Sequence, residues 1–221
     1  MVDLMKSDSS YPAVRNWLEK NFDAEKCPTD CLDQFVSLTI KASGKFKIAS
    51  LDMLRIMVLS PATAQYLFSK HWNDIFVEAI LNHIKKEDKD SKVGQNVHLT
   101  AIKFLMNAFN TTEGRMHFQD WRVGISLIQF CCDSFDSPSE NIVKHAVFLL
   151  VNFLQFFAGS KKPFKEVLIA ALNKIDQHIS SDKLTDEKNI FNLVLCECRI
   201  LYQNEHACQF IEEEFMLFFK T

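Results

Sequence analysis

Two segments of the 221-residue chain nearly repeat each other: Ala101-Ile-Lys-Phe-Leu-Met-Asn107 and Ala146-Val-Phe-Leu-Leu-Val-Asn152. Each is apolar almost throughout, begins on Ala and ends on Asn, and the two asparagines lie 45 residues apart. That spacing is the period of armadillo and HEAT repeats, in which small groups of helices stack side by side. An Asn closing a buried apolar run is costly unless its amide finds partners. One carbonyl acceptor and two N–H donors suit the backbone of an extended peptide. A row of such residues therefore reads as a peptide groove. The other reading, in which each Asn is buried and bonds a neighbouring backbone, stays open.

The composition suits a stack of helices. Hydrophobic residues make up 48% and charged residues 24%, with 20 Phe against five Gly and five Pro. Large apolar side chains are plentiful and helix breakers scarce. A chain of this length buries a sizeable core as one domain or repeat by repeat. A net charge of −3 gives no global attraction for nucleic acid or for an anionic membrane, so neither is expected as a partner. Residues 1–10 are polar and do not read as a signal peptide, and the most apolar stretch, 146–157, is too short to span a bilayer. Seven cysteines, an odd number, sit mostly in apolar segments. They fit reduced thiols used as small core residues, hence a cytoplasmic address with the nucleus as a second compartment. The sequon at Asn110 carries no weight there.

Turn signals cut the chain into helices. Pro12 opens one over 12–22, with Trp17, Leu18 and Phe22 as its apolar face. Leu32, Phe35, Val36 and Ile40 mark a second over 29–43, stopped by Gly44; Leu51, Leu54 and Val58 mark a third, ended by Ser60-Pro61. Ile75, Phe76, Ala79, Ile80 and Ile84 form a further stripe, and the charged stretch 85–95 reads as a loop. Then follow the first Asn-bearing helix, a short helix to Phe118, one over 121–132, and a loop over 133–139. The second Asn-bearing helix covers 140–157, and others cover 164–179, 186–202 and 205–219. No stretch alternates long enough for a strand. The predicted fold is all-α, an armadillo/HEAT-like helical-repeat superhelix of ten or eleven helices. In it 146–157, lacking a polar face, is a buried middle helix.

Catalytic and metal chemistry find little support. Cys27-x3-Cys31, Cys131-Cys132 and Cys196-x-Cys198 lack the C-x2-C spacing of structural zinc sites. No Gly-rich turn follows a Cys to supply oxyanion donors, and scattered glycines build no phosphate loop. The Phe-rich segments read as core rather than as a lipid pocket. No enzymatic activity, metal or cofactor is expected. Two cations stand out instead: Arg55 within Leu51-Asp-Met-Leu-Arg-Ile-Met-Val, and Lys103 in the first Asn-bearing helix. Arg55 either pairs with Asp52 three residues earlier or projects into a groove toward a carboxylate, and the sequence leaves both open.

Taken together, these segments resemble the PUL domain, the C-terminal armadillo-like module of the phospholipase A2-activating protein family of ubiquitin-pathway adaptors. Tyr11-Pro12 and Leu51-Asp-Met-Leu-Arg55-Ile with Pro61 are similar to the family's motifs. So are Ala101-Ile-Lys103-x3-Asn107-Ala-Phe109 with Gly114 beyond, and Asn141-Ile, Ala146 and Leu150-Val-Asn152-Phe153. Order and spacing match over about residues 11–219. The resemblance implies a non-catalytic adaptor gripping the acidic C-terminal tail of the hexameric AAA ATPase called valosin-containing protein, in a basic concave groove. Its setting would be ubiquitin-dependent degradation and ubiquitin homeostasis. Arg55, Lys103, Asn107 and Asn152 match positions of that groove. Asn192 departs, standing where the family carries an Arg, and Arg199, about two turns on, is the candidate substitute. The resemblance also implies a β-propeller and a ubiquitin-binding domain in the full-length protein, through which ubiquitin-pathway components bind. Residues 1–10 are then a linker and 11–221 the PUL-like domain. The alternative is a helical-repeat scaffold binding another folded protein through a different surface.

Overall fold

The computed structural model describes residues 9, 11–20, 27–68, 76–85, 87–157, 165–180 and 186–203. Their helices are α1 (Pro12–Lys20), α2 (Thr29–Lys41), α3 (Gly44–Met57), α4 (Pro61–Leu67), α5 (Phe76–Ile84), α6 (Lys92–Phe109), α7 (Thr112–Phe118), α8 (Trp121–Asp133), α9 (Glu140–Phe157), α10 (Lys165–Ile179) and α11 (Glu187–Gln203). A 3-10 turn, Ser134–Asp136, follows α8. Among the described residues none is in a strand. The fold is all-α, consistent with a helical-repeat architecture. The helix expected over 205–219 lies outside the described residues. Among those described, no helix is long and apolar enough to cross a membrane.

The chain divides into two compact units, Met1–Val123 and Gly124–Thr221. In the first, α3 packs broadly on α6 and also on α2; α2 meets α1 and α5, and α7 meets α4 and α6. The helical period explains the core. Leu32, Phe35, Val36 and Thr39 recur on one face of α2 and are all buried. Trp17 meets Phe35, and Phe76 meets Phe104, edge to face at centroid distances of 5.9 and 5.8 Å. Three helix starts are capped by side chains: Gln34 Oε1 of α2 accepts the N–H of Ala13 in α1 at 3.0 Å, and Ser91 and Thr111 accept from Gly94 and Gly114 at the starts of α6 and α7, each at 3.0 Å.

Two boundaries differ from the sequence expectation. Gly44 starts α3 rather than stopping α2; its φ of +58° is a left-handed value that glycine adopts without strain. The Ser91 cap begins α6 at Lys92, so the helix claims part of the expected 85–95 loop. What remains of that loop is pinned by an ion pair, Lys47 Nζ of α3 to Glu87 Oε1 at 2.9 Å.

In the second unit, α11 packs on α9 and α10. Leu149, Leu150, Phe153, Ile175, Leu193 and Cys196 are buried in its core. The expectation of a fully buried middle helix holds only in part, because Asn152 is exposed and Phe148 is 37% exposed on α9.

Candidate functional site

Arg55 lies in the last turn of α3, where backbone carbonyls lose their donors four residues on. The N–H of Val58 still reaches Leu54 O at 2.9 Å, but that of Leu59 turns to Ile56 O at 3.3 Å and that of Ser60 to Met57 O at 3.0 Å. The tightened end passes over Arg55 O. Asn107 of α6 supplies the missing donor, its Nδ2 lying 2.6 Å from Arg55 O. A directional bond thus ties the end of α3 to the helix it packs against most broadly.

The Arg55 side chain is held as well. Its Nε donates to Asp52 Oδ1 at 2.8 Å and its Nη2 lies 2.8 Å from the same oxygen, with 31% of the Arg55 side chain and 28% of the Asp52 side chain exposed. A half-exposed pair of this kind contributes about 0–1 kcal/mol to stability; its stronger consequence is orientation. A cation in the last turn also interacts favourably with the helix dipole. Lys103, half-buried, stands one turn before Asn107 on the same side of α6. Arg55 and Asn107 are thus joined directly, with Lys103 a turn away.

The other two expected residues belong to the second unit. Asn152 stands one turn beyond Phe148 on α9. Phe148, with Glu187, Lys188, Phe191 and Asn192 of α11, lines an open cleft of about 370 Å³. Asn192, where the resemblance calls for an Arg, is therefore a wall of that cleft. Arg199, seven residues on, is half-buried, and its Nη1 is enclosed without a partner among the described residues. Burial, together with the charge of Asp176, pushes the neighbouring Glu197 carboxyl up. The 45-residue echo therefore resolves into two unlike environments, Asn107 tied to a backbone carbonyl and Asn152 facing outward.

Cys31, Cys131, Cys132 and Cys196 are buried core groups, while Cys198 is exposed. Burial, the largest cause, raises Cys131 and pushes Cys132 and Cys196 up to about 12. That is the reverse of an activated nucleophile. Among the described residues, no group of three or more His, Cys, Asp or Glu is placed to hold a metal ion.

Residues 6–210 match the family model of the PUL domain. The chain belongs to the PUL-domain family. No curated protein and no solved structure matches it.

A PUL domain is a protein-interaction module, and two features of this one escaped the sequence reading. The Lys47–Glu87 pair joins residues 40 apart, and no local pattern in the sequence marks such a partner. The outward side of α11 is apolar, with Phe191 67%, Val194 41% and Tyr202 91% exposed. The absence of charged residues at 191, 194, 195, 198 and 202 was the available signal, since those positions share one helix face.

Proposed function

We propose that this PUL domain is a non-catalytic adaptor module that binds the acidic C-terminal tail of the AAA ATPase valosin-containing protein, in ubiquitin-dependent degradation and ubiquitin homeostasis. The observation that carries the reading is Arg55: a half-exposed guanidinium at the end of α3, oriented from both its side chain and its backbone, in a chain whose family is a protein-interaction module. Lys103 adds a second cation on the adjoining helix. In the second unit, Asn152 and Lys188 are exposed and are the groups offered to a peptide, whereas the Nη1 of Arg199 is enclosed and Asn192 gives a weaker contact than an Arg there. A half-desolvated charged hydrogen bond contributes about 1.5–3 kcal/mol. Arg55→Ala should then weaken binding of a fluorescent acidic tail peptide about tenfold or more, and added salt should weaken it further. Equal affinity of the two proteins, or no saturable binding by the unaltered chain, would refute the proposal.

A second reading is favoured by one observation, the exposed Phe191, Val194 and Tyr202 of α11. An apolar face of that kind suits a folded partner rather than an acidic tail. A Phe191→Ser/Tyr202→Ser variant that binds the tail peptide normally but loses a partner in cells would assign that face its own role.

A further inference from the structure

We infer that Asp52 and Asn107 are positioning residues: together they hold Arg55 so that one edge of its guanidinium stays available for a ligand carboxylate. The inference rests on the peptide-binding reading above and assigns its chemistry at this point.

A guanidinium is planar and carries five N–H donors in a fixed fork. The Nε–Nη2 edge of Arg55 is spent on one oxygen, Asp52 Oδ1, which accepts from Nε at 2.8 Å and lies 2.8 Å from Nη2. By planarity the Nη1–Nη2 edge points elsewhere, and that edge matches the two oxygens of a carboxylate in a parallel pair of bonds. The backbone of the same residue is fixed by Asn107, which bonds Arg55 O at 2.6 Å. An unrestrained Arg would lose rotamer freedom on binding; one already fixed from both ends loses less. The ligand class follows: a carboxylate-bearing segment taken in fork-to-fork fashion. Lysine could not hold Asp52 and fork a ligand together, since its ammonium is a single point of charge.

Asn107 thereby takes a role different from the direct backbone contact expected of it. Asp52 also carries a negative charge that opposes an acidic ligand, so the loss of Asp52 alone mixes two effects of opposite sign. Asp52→Asn and Asp52→Ala separate them, because both lack the charge and only Asn keeps an acceptor oxygen for the guanidinium.

The test is a titration of the acidic tail peptide against these variants, with circular dichroism confirming that each is folded. Asp52→Ala should bind about three- to tenfold more weakly than Asp52→Asn. Asn107→Ala should weaken binding in the unaltered chain and cost nothing further in an Arg55→Ala background. Without any peptide, the Arg55 Nε–H cross-peak in a nitrogen–proton NMR spectrum should be present for the unaltered chain and Asp52→Asn, and lost to water exchange in Asp52→Ala. Equal affinities of the two Asp52 variants, or an Asn107→Ala cost that persists without Arg55, would overturn the inference while leaving peptide binding intact. An intact cross-peak pattern with no peptide binding would support the positioning and overturn the functional reading instead.

Discussion

Replacing Glu87 by Ala strands the ammonium of Lys47 inside the first unit. The Lys47 side chain is 3% exposed and that of Glu87 18%, and the two meet at 2.9 Å. The pair is unequal: Lys47 sits on α3 within the core, whereas Glu87 sits in the α5–α6 loop at the edge of solvent. Removing the carboxylate leaves a buried charge uncompensated, which costs about 3–5 kcal/mol. Removing the ammonium with Lys47→Met keeps the volume filled and lets Glu87 turn to water, which should cost about 1 kcal/mol. The double variant has neither a stranded charge nor a broken pair and should recover most of the Glu87→Ala loss. With a urea slope of about 2 kcal/mol/M, a loss of about 4 kcal/mol moves the unfolding midpoint down by about 2 M. Urea titration followed by far-ultraviolet circular dichroism reads this directly. Equal losses from the two single variants, or a double variant as unstable as their sum, would refute the argument from unequal burial.

Two further outcomes follow from the first unit. His98 is 6% exposed on α6, and burial, aided by the charge of Lys89, lowers its pKa from 6.5 to about 4. Between those values the unfolded chain binds the proton and the folded chain does not, so this contribution is full above pH 6.5 and falls away toward pH 4, by roughly 3 kcal/mol in all. Unfolding titrations at pH 7.5 and 5 should show His98→Gln with a shallower dependence than the unaltered chain; identical slopes would remove His98 as the cause. At Gly114 of α7, a Cβ would come within 2.0 Å of Ala108 O, a backbone atom that cannot swing aside. Gly114→Ala should therefore destabilise by roughly 1–3 kcal/mol despite the higher helix propensity of Ala, and a thermal melt equal to or above the unaltered chain's would contradict the close approach.

The motif around Asn107 shows why some of the site was legible in sequence and some was not. That Gly114 follows the apolar run at a fixed distance is a local fact with local reasons: Thr111 caps α7, and the turn brings Ala108 O against Gly114. The Asp52–Arg55 pair was one of two open readings because residues three apart on a helix face each other. The partner of Asn107, a carbonyl 52 residues away, carried no sequence signature, since it depends on how the end of α3 tightens. Gly44 was read as a stop because glycine closes helices far more often than it opens them; the sign of its φ appears only when the chain is folded.

The sequence by itself determined the all-α class, most of the helices and the residues on their buried faces, because the 3.6-residue period and the capping and breaking residues act over a few positions. It also carried the order and spacing of motifs by which the chain belongs to the PUL-domain family. Only the tertiary structure decided that two similar asparagines do unlike things, that Lys47 finds Glu87, and that Phe148 and Phe191 share a cleft. Those outcomes depend on which helices pack together and in what register. Register is set by the fit of many side chains at once, a collective property that no local pattern encodes.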